Sequence, residues 1–100
     1  MTYHNIDIPR HAIAAFCERH HIRRLSLFGS ILRNDFDADS DIDVLVDFAP
    51  GHIPGLAFFS MQNELADLLG HQVDLHTPAS LSKYFRDDVL SGAEVQYDAA

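Results

Sequence analysis

The sequence has little cysteine, little positive charge and no long apolar run. Its one cysteine, Cys17, excludes an internal disulfide and any cysteine-rich zinc site. A lone free cysteine reads as a small core residue in a reducing compartment. Seven Lys and Arg stand against fifteen Asp and Glu, a formal net charge of −8 over 100 residues. Nucleic acid and anionic membranes need a basic footprint, so neither is expected as a direct partner. A basic protein, or an anionic ligand bridged by metal, remains open. No stretch approaches the ~20 apolar residues of a membrane span. The start, MTYHNIDIPRHAI, has neither the basic region nor the apolar core of a signal peptide. The expected location is cytoplasmic. With 47% hydrophobic and 22% charged residues and no repeats, residues 1–100 are expected to form one ordinary globular domain.

Patterning predicts alternating helices and strands. Residues 8–22 read as a helix capped by Asp7, with Pro9 in its first turn and Ile13, Phe16, Cys17 and His20 on one face. LSLF (25–28) reads as a short strand ending at Gly29, followed by a short helix from Ser30 to Arg33 with Ser30 as N-cap. NDFDADSD is a loop. Residues 42–48, IDVLVDF, alternate with the period of two that a pleated strand requires. PGHIPG (50–55) is a turn-rich loop. Residues 56–70 form an amphipathic helix stopped by Gly70, with Phe58, Phe59, Met61, Leu65, Leu68 and Leu69 toward the core. Residues 72–77 form a strand, 80–92 a last helix, and 93–98 an edge strand. The fold class is therefore α/β: a small mixed β-sheet with helices packed against it.

Six aspartates fall within the thirteen positions from Asp35 to Asp47. Like charges this dense destabilise a fold unless they stay in water or recruit a cation. Asp41 and Asp43, two residues apart at a strand start, point to one side of the sheet, roughly 6–7 Å apart. Asp74, flanked by the core residues Val73 and Leu75, faces the opposite side from them, where a neighbouring strand brings it to the same spot. Three convergent carboxylates with nothing basic beside them suit Mg²⁺, and a pair of ions about 3.5–4 Å apart fits the gap. Magnesium completes its shell with water and substrate phosphates. Gly29 permits close backbone approach, Ser30 offers a hydroxyl, and the helix start offers N–H groups to a triphosphate. Asp35, Asp37 and Asp39 read as loop solvation.

Other metal and catalytic readings fail on position. A calcium loop starting at Asp37 has Ile42 where Gly is required and Phe48 where Glu is required; one starting at Asp35 has Ser40 and Val46. His20 and His21 are adjacent and lack zinc-ligand spacing. FGSIL is no nucleophile elbow. Tyr3, Tyr84 and Tyr97 are conceivable acceptors of self-modification but read as structural.

Gly29-Ser30, ten residues, then Asp41-x-Asp43 resembles the signature of the DNA polymerase β-like nucleotidyltransferases, with Asp74 as the third strand carboxylate. The short length and the run LFGS…R…DSDIDVLVDF are similar to the minimal nucleotidyltransferases (MNT, MntA-like), antitoxin partners of HEPN-domain toxins. The similarity runs roughly from Leu25 to Tyr97. The resemblance implies the nucleotidyltransferase fold and two Mg²⁺ held by Asp41, Asp43 and Asp74, the last also activating the acceptor hydroxyl. It implies that Gly29 and Ser30 hold the β- and γ-phosphates, and that Arg33 pairs with phosphate or with a strand carboxylate. It further implies transfer of AMP from ATP to a tyrosine of a HEPN-type RNase toxin in a type VII-like toxin–antitoxin pair. The acidic surface suits such a basic partner. Two other readings stay open: an antitoxin that only binds and occludes its toxin, and a nucleotidyltransferase acting on small molecules.

Overall fold

The computed structural model describes residues 2–52 and 54–99. A four-stranded mixed sheet carries the helices, as the alternating pattern requires. Strands β1 (Thr2–Tyr3) and β2 (Ile6–Asp7) form a small separate hairpin. Helix α1 (Arg10–Arg19) leads into β3 (Ile22–Phe28), a 3₁₀ turn (Gly29–Leu32) and β4 (Ile42–Phe48). Helix α2 (Ala57–Leu69), β5 (Val73–His76), a second 3₁₀ turn (Pro78–Ser80), α3 (Arg86–Gly92) and β6 (Glu94–Asp98) follow. The sheet order is β5-β4-β3-β6; β3 is antiparallel to both β4 and β6, and β4 is parallel to β5.

Alternation along the strands gives the sheet two different faces. Ile42, Val44 and Val46 of β4 pack with Leu25 and Leu27 of β3 and Val73 and Leu75 of β5. Ile13, Phe16 and Cys17 of α1 and Met61, Leu65 and Leu69 of α2 close over this face. The other face carries Phe28, Asp43 and Asp74 in one row across three strands, and Ser26, Leu45 and His76 in the next. Apolar residues anchor the register of β4 against β5, and the carboxylates follow because side chains alternate.

Several boundaries differ from the sequence reading, each for a local reason. Asp7 lies in β2 rather than capping α1. α1 stops before Ile22 because His20 caps it and His21 takes the left-handed conformation (φ 57°), a turn that no glycine announces. Ile22 instead pairs with Phe48 and extends β3. The β1–β2 turn uses positive φ at both His4 and Asn5, the type I′ geometry usually signalled by Asn-Gly. Ser30 sits inside its turn, and the extended residue ahead of the turn is Phe28. The expected 80–92 helix is split. The Ser80 hydroxyl accepts the Thr77 N–H (3.1 Å) and donates to the Thr77 carbonyl (2.8 Å), closing a turn before buried Leu81. Phe59, expected in the core, is 67% exposed. Gly70 ends α2 in the left-handed conformation, as expected.

Candidate active site

The chain turns sharply where β3 ends, and Gly29 is the residue that allows it. Its φ is +77°, and a Cβ there would stand 2.3 Å from Oδ2 of Asp43. The absent side chain is thus the space that Asp43 fills. Ser30 follows in the 3₁₀ turn, and its carbonyl accepts the Arg33 N–H at 2.9 Å. Arg33 pairs with Asp35 (3.2 Å) and with neither strand carboxylate, and both partners are mostly exposed. Such a pair contributes little stability, so the guanidinium is readily released to another anion. A cavity of about 480 Å³ is lined by Phe28, Gly29, Leu32, Arg33 and Asp43 on one side and by Asp88, Val89 and Gly92 on the other.

Asp43 and Asp74 are register partners on the parallel strands β4 and β5. Asp43 is held above the usual carboxylate range. Burial is the largest cause; the His76 ring opposes it, and the charges of Asp74 and Asp41 add to it. Among the described residues no Lys or Arg lies within ion-pairing distance of either carboxylate. The group beside them is His76, whose Nε2 is 3.2 Å from Asp74 and 3.5 Å from Asp43. Asp43, Asp74 and His76 present ligand atoms all within 4.8 Å of one another, and this donor chemistry fits a divalent cation.

Asp41 stands apart from that trio. It is exposed ahead of β4 and borders a second depression with Gln62, Asn63, Gln72 and Asp74. The carboxylates therefore form the wall between two open spaces. The intervening loop is tied down at its base: the Phe36 ring packs against His4 (5.0 Å) and His71 (5.3 Å), and His71 Nε2 meets the Ser40 carbonyl at 2.5 Å. Asp37 accepts the Asp39 N–H at 2.9 Å and pairs with Ser40, while Asp35 holds Arg33. These acidic residues shape the loop, as expected for its solvated part.

A glycine thus cradles one of two paired strand carboxylates, with a serine next along the turn. The family model described as nucleotidyltransferase domain matches residues 10–95. The chain belongs to the nucleotidyltransferase domain family. This nucleotidyltransferase is 35% identical over 89 residues to "Putative protein adenylyltransferase MJ0435" of Methanocaldococcus jannaschii, covering 89% of this chain and 95% of that one. Protein adenylyltransferase MntA of Thermococcus cleftensis is 40% identical over 74 residues, 73% of each chain. Among solved structures, the complex of a tri-AMPylated Shewanella oneidensis HEPN toxin with MNT antitoxin contains a similar chain. It has a TM-score of 0.64 and 23% identity, covering 89% of this chain and 69% of that one; the two share the fold.

Of the candidate residues of the sequence reading, Gly29, Arg33 and Asp43 border one cavity, Asp41 and Asp74 border the other, and Ser30 sits in the turn beside Gly29. His76 escaped the sequence reading. Its signal is simple in retrospect: in VDLH it lies two residues past Asp74 on a strand, hence on the same face.

Proposed function

We propose that this nucleotidyltransferase is a Mg²⁺-dependent protein adenylyltransferase that moves AMP from ATP to a tyrosine of a HEPN-type RNase toxin and so serves as its antitoxin. The observation that carries this reading is the Asp43–Asp74 register pair set directly against Gly29. The names of the relatives support the reaction class, and the net charge of −8 supports a basic, RNA-cutting partner.

In this reading Asp41, Asp43 and Asp74 hold the divalent cation or cations. When bound, these supply charge neutralisation for the triphosphate and acidify the acceptor hydroxyl. Gly29 lets the backbone approach the β- and γ-phosphates, the Ser30 hydroxyl donates to them, and Arg33 leaves Asp35 to hold the same anion. Asp74, the more exposed of the strand carboxylates, accepts the proton of the attacking tyrosine hydroxyl. The tyrosine oxygen bonds to the α-phosphorus as the bond to pyrophosphate breaks. Positioning and electrostatics of this kind supply most of phosphoryl-transfer catalysis. Substitution of a strand carboxylate therefore removes the rate and not only the affinity.

The test is to mix the chain with the HEPN-type protein encoded beside it, Mg²⁺ and each nucleoside triphosphate in turn, and to weigh both chains intact. One or more AMP units on the neighbour, absent with Asp41→Asn/Asp43→Asn, is the expected result. An unmodified neighbour held equally tightly by both forms of the protein would replace this reading with occlusion alone. Modification of hydroxylated small molecules in place of the neighbour would replace the acceptor.

A further inference from the structure

His76 completes the carboxylate pair in a way that the G-S…D-x-D spacing does not require. Its ring packs edge-on against Phe28, with centroids 5.2 Å apart, which turns Nε2 toward the two aspartates. Nε2 is closed off from solvent, and the polar groups it faces are the carboxylates of Asp74 at 3.2 Å and Asp43 at 3.5 Å. Two ligand atoms bound to one cation at about 2.1 Å lie about 3.0 Å apart at octahedral angles and about 3.4 Å apart at tetrahedral ones. The separation from Asp74 falls within that range and that from Asp43 lies just beyond it.

We propose that His76 Nε2 is a direct ligand of the cation shared by Asp43 and Asp74, and that this nitrogen strengthens the site's hold on a first-row transition ion such as Mn²⁺ without altering its affinity for Mg²⁺. Magnesium takes oxygen ligands and keeps its waters, whereas imidazole favours the transition ions. The inference rests on the assignment of Asp43 and Asp74 as cation ligands in the proposed function and adds a donor and a preference to it.

The test uses the full chain with Mn²⁺ alone and reads binding rather than turnover. Pulsed electron paramagnetic resonance of bound Mn²⁺ should show the modulation of one directly bound imidazole nitrogen, changed in frequency when the protein is made with ¹⁵N-histidine. His76→Gln should abolish that modulation and weaken Mn²⁺ binding at least about tenfold, the loss expected at minimum for a group that tunes a metal site. Competition with Mg²⁺ should show little change in Mg²⁺ affinity. Wild-type Mn²⁺ without histidine modulation would overturn the proposal, and that readout needs no variant to fold. Loss of binding in Asp43→Asn, with His76→Gln binding as tightly as wild type, would overturn the histidine assignment and leave the cation site standing. Binding unaffected by either variant would overturn both.

Discussion

Two regions border the same cavity, and they are held in place by different means. One is the sheet with its first 3₁₀ turn, which supplies Phe28, Gly29, Leu32, Arg33 and Asp43; the other is α3, which supplies Asp88, Val89 and Gly92. Behind the first, Ile42, Val44, Val46, Phe16 and Leu65 are completely enclosed. α3 has no buried residue, and Leu81 is the buried apolar anchor between the second 3₁₀ turn and that helix. Tyr84, Phe85 and Leu90 around it are exposed, the tyrosine at 87%. A densely packed core fixes positions to fractions of an ångström, whereas a segment with few apolar contacts opens at low free-energy cost. Asp43 thus stands on the more densely packed of the two walls, and α3 forms the one without buried residues.

The contrast can be broken most severely at Gly29. Gly29→Ala drives a methyl into Asp43 and strains a left-handed residue, so transfer should fall at least about a hundredfold. Stability should drop by about 1–3 kcal/mol in denaturant titration. Next is a paired truncation. Leu65→Ala, in the enclosed core, should cost about 2–5 kcal/mol. Leu90→Ala, 44% exposed on α3, should stay within about 0.5 kcal/mol. Equal losses would mean that α3 is as firmly packed as the sheet. Arg33→Ala should leave the melting temperature nearly unchanged and raise the KM for ATP about tenfold, the scale of one charge-assisted contact.

The smallest effect at neutral pH concerns Cys17, whose thiol is pushed up to about 12 by burial, with a minor contribution from Glu18. The unfolded chain loses this proton first, so the folded state loses stability as pH rises from about 9 toward 12 and none below. Native protein at pH 8 should accordingly resist thiol reagents that modify the denatured chain at once. Rapid native labelling would show that the densely packed wall opens.

How far the sequence could be read depended on whether a signal was local. The period of two in residues 42–48 is a property of one strand, and the structure forms β4 over those residues. The Gly70 stop and the Glu94–Asp98 edge strand were likewise legible. That Asp43 and Asp74 leave the core face of their strands was legible because alternation along each strand constrains which face its side chains take. The β1–β2 hairpin, the early end of α1 and the break at Leu81 were not. They depend on left-handed conformations at His4, Asn5 and His21, and on a serine that closed a turn instead of capping a helix. No residue there announces its conformation by type alone. Phe59 shows the same limit from the packing side: α2 turns Met61, Leu65 and Leu69 inward, and Phe59 lies on the far side of the helix from that stripe.

By itself the sequence determined which residues alternate, where glycine must stand, and that a surplus of carboxylates would crowd one strand entrance. Those follow from the covalent order and the geometry of single elements. Only the tertiary structure decided that β5 lies parallel to β4 with Asp74 opposite Asp43, that Asp41 faces a separate depression, and that His76 joins the pair. Each of these is a meeting of distant segments, set by how Ile42, Val44, Val73 and Leu75 pack beneath the helices, and burial of that apolar face carries the polar residues of the other face into register.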